Sequence, residues 1–99
     1  LVAGTGIAGI AANQLSSPYG IYVDRHFNLY VADTGNQRIQ LFARGQTHAV
    51  TLVQNSNPRG ANPGAFTDVI LDGNGFLYFP NHSSGVIRWK NNQFHCVVD

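Results

Sequence analysis

The chain has 99 residues, a formal net charge of +1 and 43% apolar residues. This apolar content predicts a folded domain rather than a disordered chain. The six Lys and Arg residues are scattered along the sequence, which argues against a basic surface for nucleic acid or an anionic membrane. No apolar run approaches the ~18 residues of a membrane span, and no targeting segment is recognisable.

The first element is a short predicted strand, Leu1 to Ala3, and residues 4–9 then match the G-x-G-x-x-G pattern of dinucleotide-binding loops. Such a loop must open a helix that crosses back to a parallel strand. Residues 10–18 leave no room for that helix, because Ser17-Pro18 ends any helical turn. We therefore interpret residues 4–17 as a loop between structural units and not as a nucleotide site.

The next stretch predicts a four-stranded antiparallel meander. Its short apolar runs are bounded by turn-forming residues, as in consecutive antiparallel strands. Residues 24–28 form the first hairpin connection and residues 43–46 a later turn. The predicted strands are Ile21 to Val23, Leu29 to Ala32, Ile39 to Phe42 and His48 to Val53.

A polar turn, Asp33 to Arg38, joins the second and third predicted strands. We expect Gly35 to take a left-handed conformation and Arg38 to reach back to Asp33. One carboxylate and one guanidinium at a turn are common structural elements. We therefore interpret Asp33, Asn36 and Arg38 as a structural turn and not as a catalytic or binding site.

The same design recurs with an offset of 72 − 24 = 48 residues, which aligns Asp24 with Asp72 and Leu29-Tyr30 with Leu77-Tyr78. A repeat of this length indicates one supersecondary unit used at least twice. The almost uninterrupted apolar second strands of both units predict that stacked sheets cover their two faces. Pro80 indicates an altered turn or an edge position. The predicted strands of the second unit are residues 67–72, 76–79, 86–89 and 94–98.

The first unit resembles an NHL repeat. The family pattern P-x-G-[IV]-x-[VL]-D, followed by L-Y-V-[AS]-D-[ST]-x-N-x-R-[IV], is matched almost throughout between Pro18 and Ile39. NHL repeats form β-propellers of four-stranded blades, so the resemblance implies an all-β fold built from NHL-like propeller blades. It implies a preceding blade's end strand plus an inter-blade loop at 1–17, blade 1 at 18–53, an inter-blade loop at 54–65 and a divergent blade 2 at 66–99.

The second unit departs from this pattern. Its apolar strands persist, with Asp72, Leu77-Tyr78 and Ile87 kept, whereas the polar turn is lost, which fits a scaffold role for that turn. Phe66, Asp68, Asn81 and Val86 align with Pro18, Gly20, Asp33 and Arg38.

Two blades leave open faces that need a partner, since about three or more repeats are usually needed for stability. We therefore expect a non-enzymatic scaffold for protein interaction or self-assembly, as a ring or a filament, with no cofactor and no nucleic-acid or membrane partner. The partner would be copies of the chain or further blades of a longer one. Because the chain opens at Leu1 without an initiator Met, we expect it to be part of a longer or processed polypeptide.

Two other functions stay open. Some NHL-like propellers are lyases or hydrolases with a metal on the central axis, for which the candidate ligands are His26, His48, His82 and His95. The repeat explains why His48 and His95 both lie near the start of a fourth predicted strand. RNA binding, known among NHL-like proteins with strongly basic surfaces, is disfavoured by the net charge of +1.

One short motif bears on location. Asn81-His82-Ser83 is an N-x-[ST] acceptor, and the repeat alignment places it at an exposed turn. Glycosylation of Asn81 would mean a secretory route, so we expect an extracellular or secreted protein. The lone Cys96 cannot form an intrachain disulfide, and we interpret it as a small buried hydrophobic residue.

Overall fold

The computed structural model describes residues 3–54, 68–81, 85–91 and 93–98, with the main chain only for Asn81 and for residues 94–98. The described chain is all-β, as predicted, apart from a short 3-10 helix at Thr34–Asn36. Its strands are β1 Pro18–Val23, β2 Leu29–Asp33, β3 Arg38–Phe42, β4 Val50–Gln54, β5 Ile70–Leu71, β6 Leu77–Asn81, β7 Gly85–Lys90 and β8 Gln93–Val98.

These strands form two four-stranded antiparallel sheets, β1 to β4 and β5 to β8, each with its strands in chain order. The two predicted meanders are therefore confirmed, because within each sheet every strand pairs with the next one along the chain. The described residues form two sheets and no closed ring of sheets. Within the described ranges, no helix has the length and apolarity needed to cross a bilayer.

The strand expected at Leu1 to Ala3 lies outside the described residues except for Ala3, which is in a bend. Other predicted boundaries are wrong. β4 begins at Val50 and not at His48, because the N–H of Ala49 donates to the Ala12 carbonyl in the preceding loop, at 2.8 Å. Asp72 does not extend β5, because its N–H instead closes the hairpin loop by donating to the carbonyl of Phe76 at 3.0 Å.

Pro80 lies inside β6, where it pairs with Val86 of β7. On the other side of β6, the pairing with β5 covers only Leu77 and Tyr78. The proline therefore sits beyond the end of β5, at a place where a missing N–H removes no ladder hydrogen bond on that side. This is the local edge position that the sequence indicated.

One apolar cluster joins the two sheets. It holds Ala32, Ile39 and Val53 from the first sheet together with Leu77 and Phe79 from the second, and each is at most 5% exposed. Tyr30 and Trp89 pack against the same cluster. Stacking of the two sheets thus covers one face of each apolar second strand, whereas the sequence predicted that stacked sheets would cover both faces.

Each sheet also has an outer face, on the side away from this cluster. Side chains alternate along a strand, so Ile21 and Val23 lie opposite the core-facing Tyr22 and are 63% and 52% exposed. Val31 and Phe42 lie on the same outer face but are buried, so the exposed part is at β1. The outer face of the second sheet carries Ile70, Tyr78, Pro80 and Val86, and Ile70 is 54% exposed.

Candidate functional site

The polar turn folds as the 3-10 helix Thr34–Asn36, followed by Gln37 in the left-handed conformation with φ 51°. The expectation that Gly35 takes this conformation is wrong. Gly35 meets a different requirement: its N–H donates to the Ser16 carbonyl at 2.8 Å, and a Cβ there would lie 2.6 Å from that oxygen. Close approach of a neighbouring backbone, and not a positive φ, therefore requires glycine at this position.

At the centre of this turn lies a buried ion pair. Arg38 Nε donates to Asp33 Oδ2 at 2.7 Å, and the two side chains are 8% and 0% exposed. Asn36 Nδ2 donates to the same carboxylate oxygen at 2.9 Å, and the Ser16 N–H donates to Asp33 Oδ1 at 2.7 Å. These three donors offset the loss of water around the buried Asp33 carboxylate.

The remaining donors of Arg38 point to the loop that precedes β1. Arg38 Nη1 donates to the carbonyl of Ile10 at 2.8 Å, and Nη2 donates to the carbonyls of Ala11 and Gln14 at 3.1 and 2.9 Å. Asn36 Nδ2 donates to the carbonyl of Gly9 at 2.7 Å. The turn therefore fastens this loop to the sheet, and we refer to Asp33, Asn36 and Arg38 as the loop clamp.

The clamp holds the last residue of the G-x-G-x-x-G stretch and the residues that follow it. The described residues after Gly9 form bends and turns and open no helix before β1. The carbonyls of this segment, not its N–H groups, are turned to the Arg38 guanidinium. An anion site needs converging N–H donors, so the clamp gives this loop the opposite polarity.

In the second sheet, the turn that corresponds to the clamp is one residue shorter. Asp33 pairs with Arg38, whereas Asn81 pairs with Gly85. Gly85 therefore takes the place of Arg38, and the predicted equivalence of Val86 with Arg38 is wrong by one residue. Gly85 also has φ 87°, a conformation that favours glycine.

The same shift changes the alignment of the next residues. In each sheet, the pairing between the third and fourth strands has one irregularity. It lies directly after Ile39 in β3 and directly after Val86 in β7. The counterpart of Ile39 is thus Val86, and Ile87 corresponds to Gln40. The predicted retention of Ile39 as Ile87 is wrong for the same reason, since the shorter turn moves every later residue by one position.

The two histidines assigned to the fourth strands are not equivalent. Residue pairs between the third and fourth strands can be matched by counting from the irregularity in each sheet. The second pair after it is Leu41 with Val50 in the first sheet and Arg88 with His95 in the second. His95 therefore corresponds to Val50, two positions after His48, which lies in a bend before β4. The symmetry that the sequence suggested for these two candidate ligands is absent.

The other predicted site residues lie apart from the clamp. Among the described residues, no group of three His, Cys, Asp or Glu side chains could hold a metal ion. His26 is exposed in the first hairpin loop, and His82 lies outside the described residues. Asn81 ends β6 and the rest of its acceptor triplet is outside the described range, so its glycosylation stays a prediction. The main chain of Cys96 pairs with Ile87, and its side chain is not described.

The first hairpin loop of each sheet is built around an aspartate. Asp24 and Asp72 each donate their N–H to the carbonyl four residues ahead, at 3.1 and 3.0 Å. Each carboxylate also accepts the N–H groups two and four residues ahead, at 2.8 and 3.0 Å for Asp24 and at 2.8 and 2.9 Å for Asp72. The two loops thus share one hydrogen-bond pattern at the offset of 48 residues.

These hydrogen bonds make the stability of the fold depend on pH. Burial raises the pKa of each aspartate, but the bonds from Asn28 and His26 to Asp24, and from Phe76, Asn74 and Tyr78 to Asp72, outweigh it and hold both pKa values below the ordinary one. A depressed pKa in the folded chain stabilises it above the unfolded value of about 4. We expect the free energy of unfolding to fall as the pH drops below that value.

Urea unfolding at a series of pH values measures this effect. The double variant Asp24→Asn, Asp72→Asn keeps one acceptor oxygen in each loop but has no carboxylate to protonate. Its stability should change less between pH 5 and pH 3 than that of the original chain. Equal slopes for the two proteins would show that the loop aspartates do not control acid sensitivity.

One residue departs from the shared loop pattern. Phe27 has φ 65°, in the left-handed region, and the equivalent residue of the second loop is Gly75 with φ 86°. A side chain in this conformation costs about 1–2 kcal/mol. Phe27 is also 66% exposed, so burial of its ring does not offset that cost. The sequence held a signal for this residue, because the offset of 48 aligns Phe27 with a glycine.

A groove lies beside Phe27, at the end of the first sheet. The Arg44 guanidinium carbon lies 5.4 Å from the centre of the Phe27 ring, and the Arg44 N–H donates to Asn28 Oδ1 at 3.0 Å. The groove has a volume of about 300 Å³ and is lined by Phe27, Leu29, Phe42, Arg44, Gln46 and Thr47.

The described residues thus present two polar arrangements of opposite character. In the loop clamp, the Arg38 guanidinium is paired with a carboxylate and with carbonyls of the same chain. In the groove, the Arg44 guanidinium faces an aromatic ring, and the clamp pair is the one ion pair formed by described residues. No protein-family model matches the chain, and no curated protein is significantly similar to it.

Proposed function

We propose that the chain is a segment of an NHL-like β-propeller that serves as a non-enzymatic scaffold for protein interaction or self-assembly. The NHL-like motif between Pro18 and Ile39 and the two four-stranded meanders support this proposal. In it, residues 18–53 and 66–99 are consecutive blades. The observation that carries the proposal is the way in which the two sheets stack.

The sheets pack front to back. Tyr30 and Ala32 of β2 turn toward the shared cluster, whereas their equivalents at the offset of 48, Tyr78 and Pro80, lie on the outer face of the second sheet. The outer face of the second sheet is therefore equivalent to the face with which the first sheet already packs. A further sheet added there would repeat the same contact, which is how propeller blades accumulate.

The outer face of the second sheet is suited to that contact. A shallow groove of about 180 Å³ is lined there by mainly apolar residues, among them Ile70, Tyr78, Pro80 and Val86. On the first sheet, Ile21 and Val23 expose apolar side chains on the outer face. This outer face is equivalent to the face of the second sheet that packs against the first sheet. Joining these two surfaces from different copies is a heterologous contact, which gives a ring if the rotation closes and a filament if it does not.

The mass of the protein in solution tests self-assembly. The chain has a mass of 10.7 kDa, and light scattering at micromolar concentration should give a multiple of it. Ile21→Glu places a charge on the proposed contact and should return the mass to that of one chain. Ile7→Glu is the matched control, since Ile7 is 71% exposed but lies in the loop before β1.

Two results would contradict self-assembly. The first is a single-chain mass for the original protein at the highest concentration reached. The second is an assembly whose mass is the same in the Ile21→Glu and Ile7→Glu variants, because the exposed face of β1 would then not be part of the contact.

A further inference from the structure

We propose that the groove beside Phe27 binds an acidic peptide segment, which is a function separate from the stacking of sheets. The groove lies at the end of the first sheet where the β1–β2 loop meets the turn after β3. Three properties of its residues lead to this proposal: an aromatic side chain that the fold does not require, a local positive charge with no carboxylate partner among the described residues, and an apolar lining of limited size.

The fold does not require an aromatic side chain at residue 27. The second loop makes the same hydrogen bonds with Gly75 in the equivalent position, so the hairpin closes without a side chain there. The Phe27 ring contributes little to the core, since it is 66% exposed. A bulky residue held at φ 65° without a structural need is typical of a site where a ligand uses the side chain.

The charge around the groove is positive. Arg44 lines the groove, and Arg25 is exposed in the adjacent loop. The acid of this loop, Asp24, is engaged by the N–H groups of His26 and Asn28 and by the Asn28 amide. Among the described residues, no carboxylate pairs with Arg44, so a carboxylate of a ligand can take that place with two parallel hydrogen bonds.

The second sheet also places cations beside an aromatic ring. The guanidinium of Arg88 and the ammonium of Lys90 lie 4.5 and 5.0 Å from the centre of the Phe76 ring. Lys90 Nζ also donates to the carbonyl of Asn74 at 2.8 Å. Lys90 therefore provides a control position with the same charge, and its ammonium group is already held by a main-chain carbonyl.

The size and lining of the groove favour a peptide. Leu29 and the Phe27 ring offer apolar contact for one side chain, and Gln46 and Thr47 offer polar groups for an extended main chain. A volume of about 300 Å³ is at the lower end for ligand pockets. RNA is disfavoured because its binding depends on a row of cations, and the chain carries a net charge of only +1.

Fluorescence anisotropy of a labelled peptide tests the proposal with the full chain. The probe is fluorescein-labelled Glu-Glu-Leu-Glu-Glu, and Gln-Gln-Leu-Gln-Gln is the uncharged control. We expect the acidic peptide to bind at least about tenfold more tightly than the control, and Arg44→Gln to remove about that difference. Lys90→Gln changes the net charge equally and should alter the affinity less than about twofold.

Phe27→Gly separates binding from folding. It should weaken peptide binding about as much as Arg44→Gln does, while its thermal midpoint stays at or above that of the original chain, since glycine relieves the left-handed conformation. A structural role for Phe27 would instead lower both quantities.

Three outcomes would overturn the proposal. One is equal binding of the acidic and uncharged peptides, which would remove the role of charge. Another is equal weakening by Arg44→Gln and Lys90→Gln, because the attraction would then come from net charge and not from the groove. The third is tighter binding of a labelled uridine hexamer with the same dependence on Arg44, which would assign the groove to RNA.

Discussion

Arg38→Met should lower the free energy of unfolding by about 3–5 kcal/mol, because it leaves a buried charge without its partner. The Asp33 carboxylate is 0% exposed and would keep only the donors from Asn36 and Ser16. The carbonyls that Arg38 now serves would also lose their donor, and the loop before β1 would be released from the sheet. Urea unfolding followed by circular dichroism measures the loss.

Two further variants show how much of that loss comes from the unpaired buried charge. Arg44→Met also removes a guanidinium, but from an exposed site with no carboxylate partner, and should cost less than about 1 kcal/mol. Adding Asp33→Asn to Arg38→Met removes the unpaired charge, so the double variant should lose less than the sum of the two single losses. An Arg38→Met loss no larger than that of Arg44→Met would mean that the clamp does not stabilise the fold.

Leu77→Ala should cost about 2–5 kcal/mol, since it opens a cavity in the cluster that joins the sheets. Leu77 is 1% exposed, whereas Ile7, in the loop before β1 and outside the proposed stacking contact, is 71% exposed. Ile7→Ala is therefore the control and should cost about 1 kcal/mol or less, because it removes little buried surface. The shift of the urea midpoint in the two variants gives both values.

The same cluster predicts that the two sheets unfold together. Trp89 packs against the cluster from the second sheet, and Ile39 is buried in it from the first. Ile39→Ala should therefore shift the Trp89 fluorescence transition as far as it shifts the circular dichroism transition. A Trp89 transition that does not respond to Ile39→Ala would show that the sheets unfold independently.

The fold class and the order of the strands could be predicted from turn residues and short apolar runs. Asp-based loops at residues 24–28 and 72–76 close the hairpins that the sequence indicated. The sequence could not predict the lengths of β4 and β5, because main-chain N–H groups of Ala49 and Asp72 take partners outside the ladders. A prediction from strand propensity uses a residue and its neighbours along the chain. It therefore contains no information about acceptors in other loops that compete for a main-chain N–H.

The clamp could be predicted only in part. The reach of Arg38 to Asp33 follows from their positions at the two ends of one turn. The carbonyls that complete the guanidinium shell come from Ile10, Ala11 and Gln14, whose side chains give no sign of this contact. Every residue has such a carbonyl, so a sequence cannot show which ones converge.

The length of the turn between β6 and β7 is a further feature that the sequence could not predict. A constant offset of 48 aligns the loops around Asp24 and Asp72 correctly but fails after Asn81, where the turn is one residue shorter. Similar apolar residues follow on both sides of the deletion, so the pattern hides the shift. The pairing of Asn81 with Gly85 and the ladder irregularity after Val86 show it. Assignment of the two sheets to NHL blades stays a proposal.

Front-to-back packing has a consequence for any stack that these sheets build. Each added sheet presents the same kind of face as the one it covered, so the stack has a direction and two unlike ends. One end exposes Ile21 and Val23, and the other exposes Ile70. A linear stack would therefore be polar, and a partner that fits one end would stop growth there while leaving the other end free.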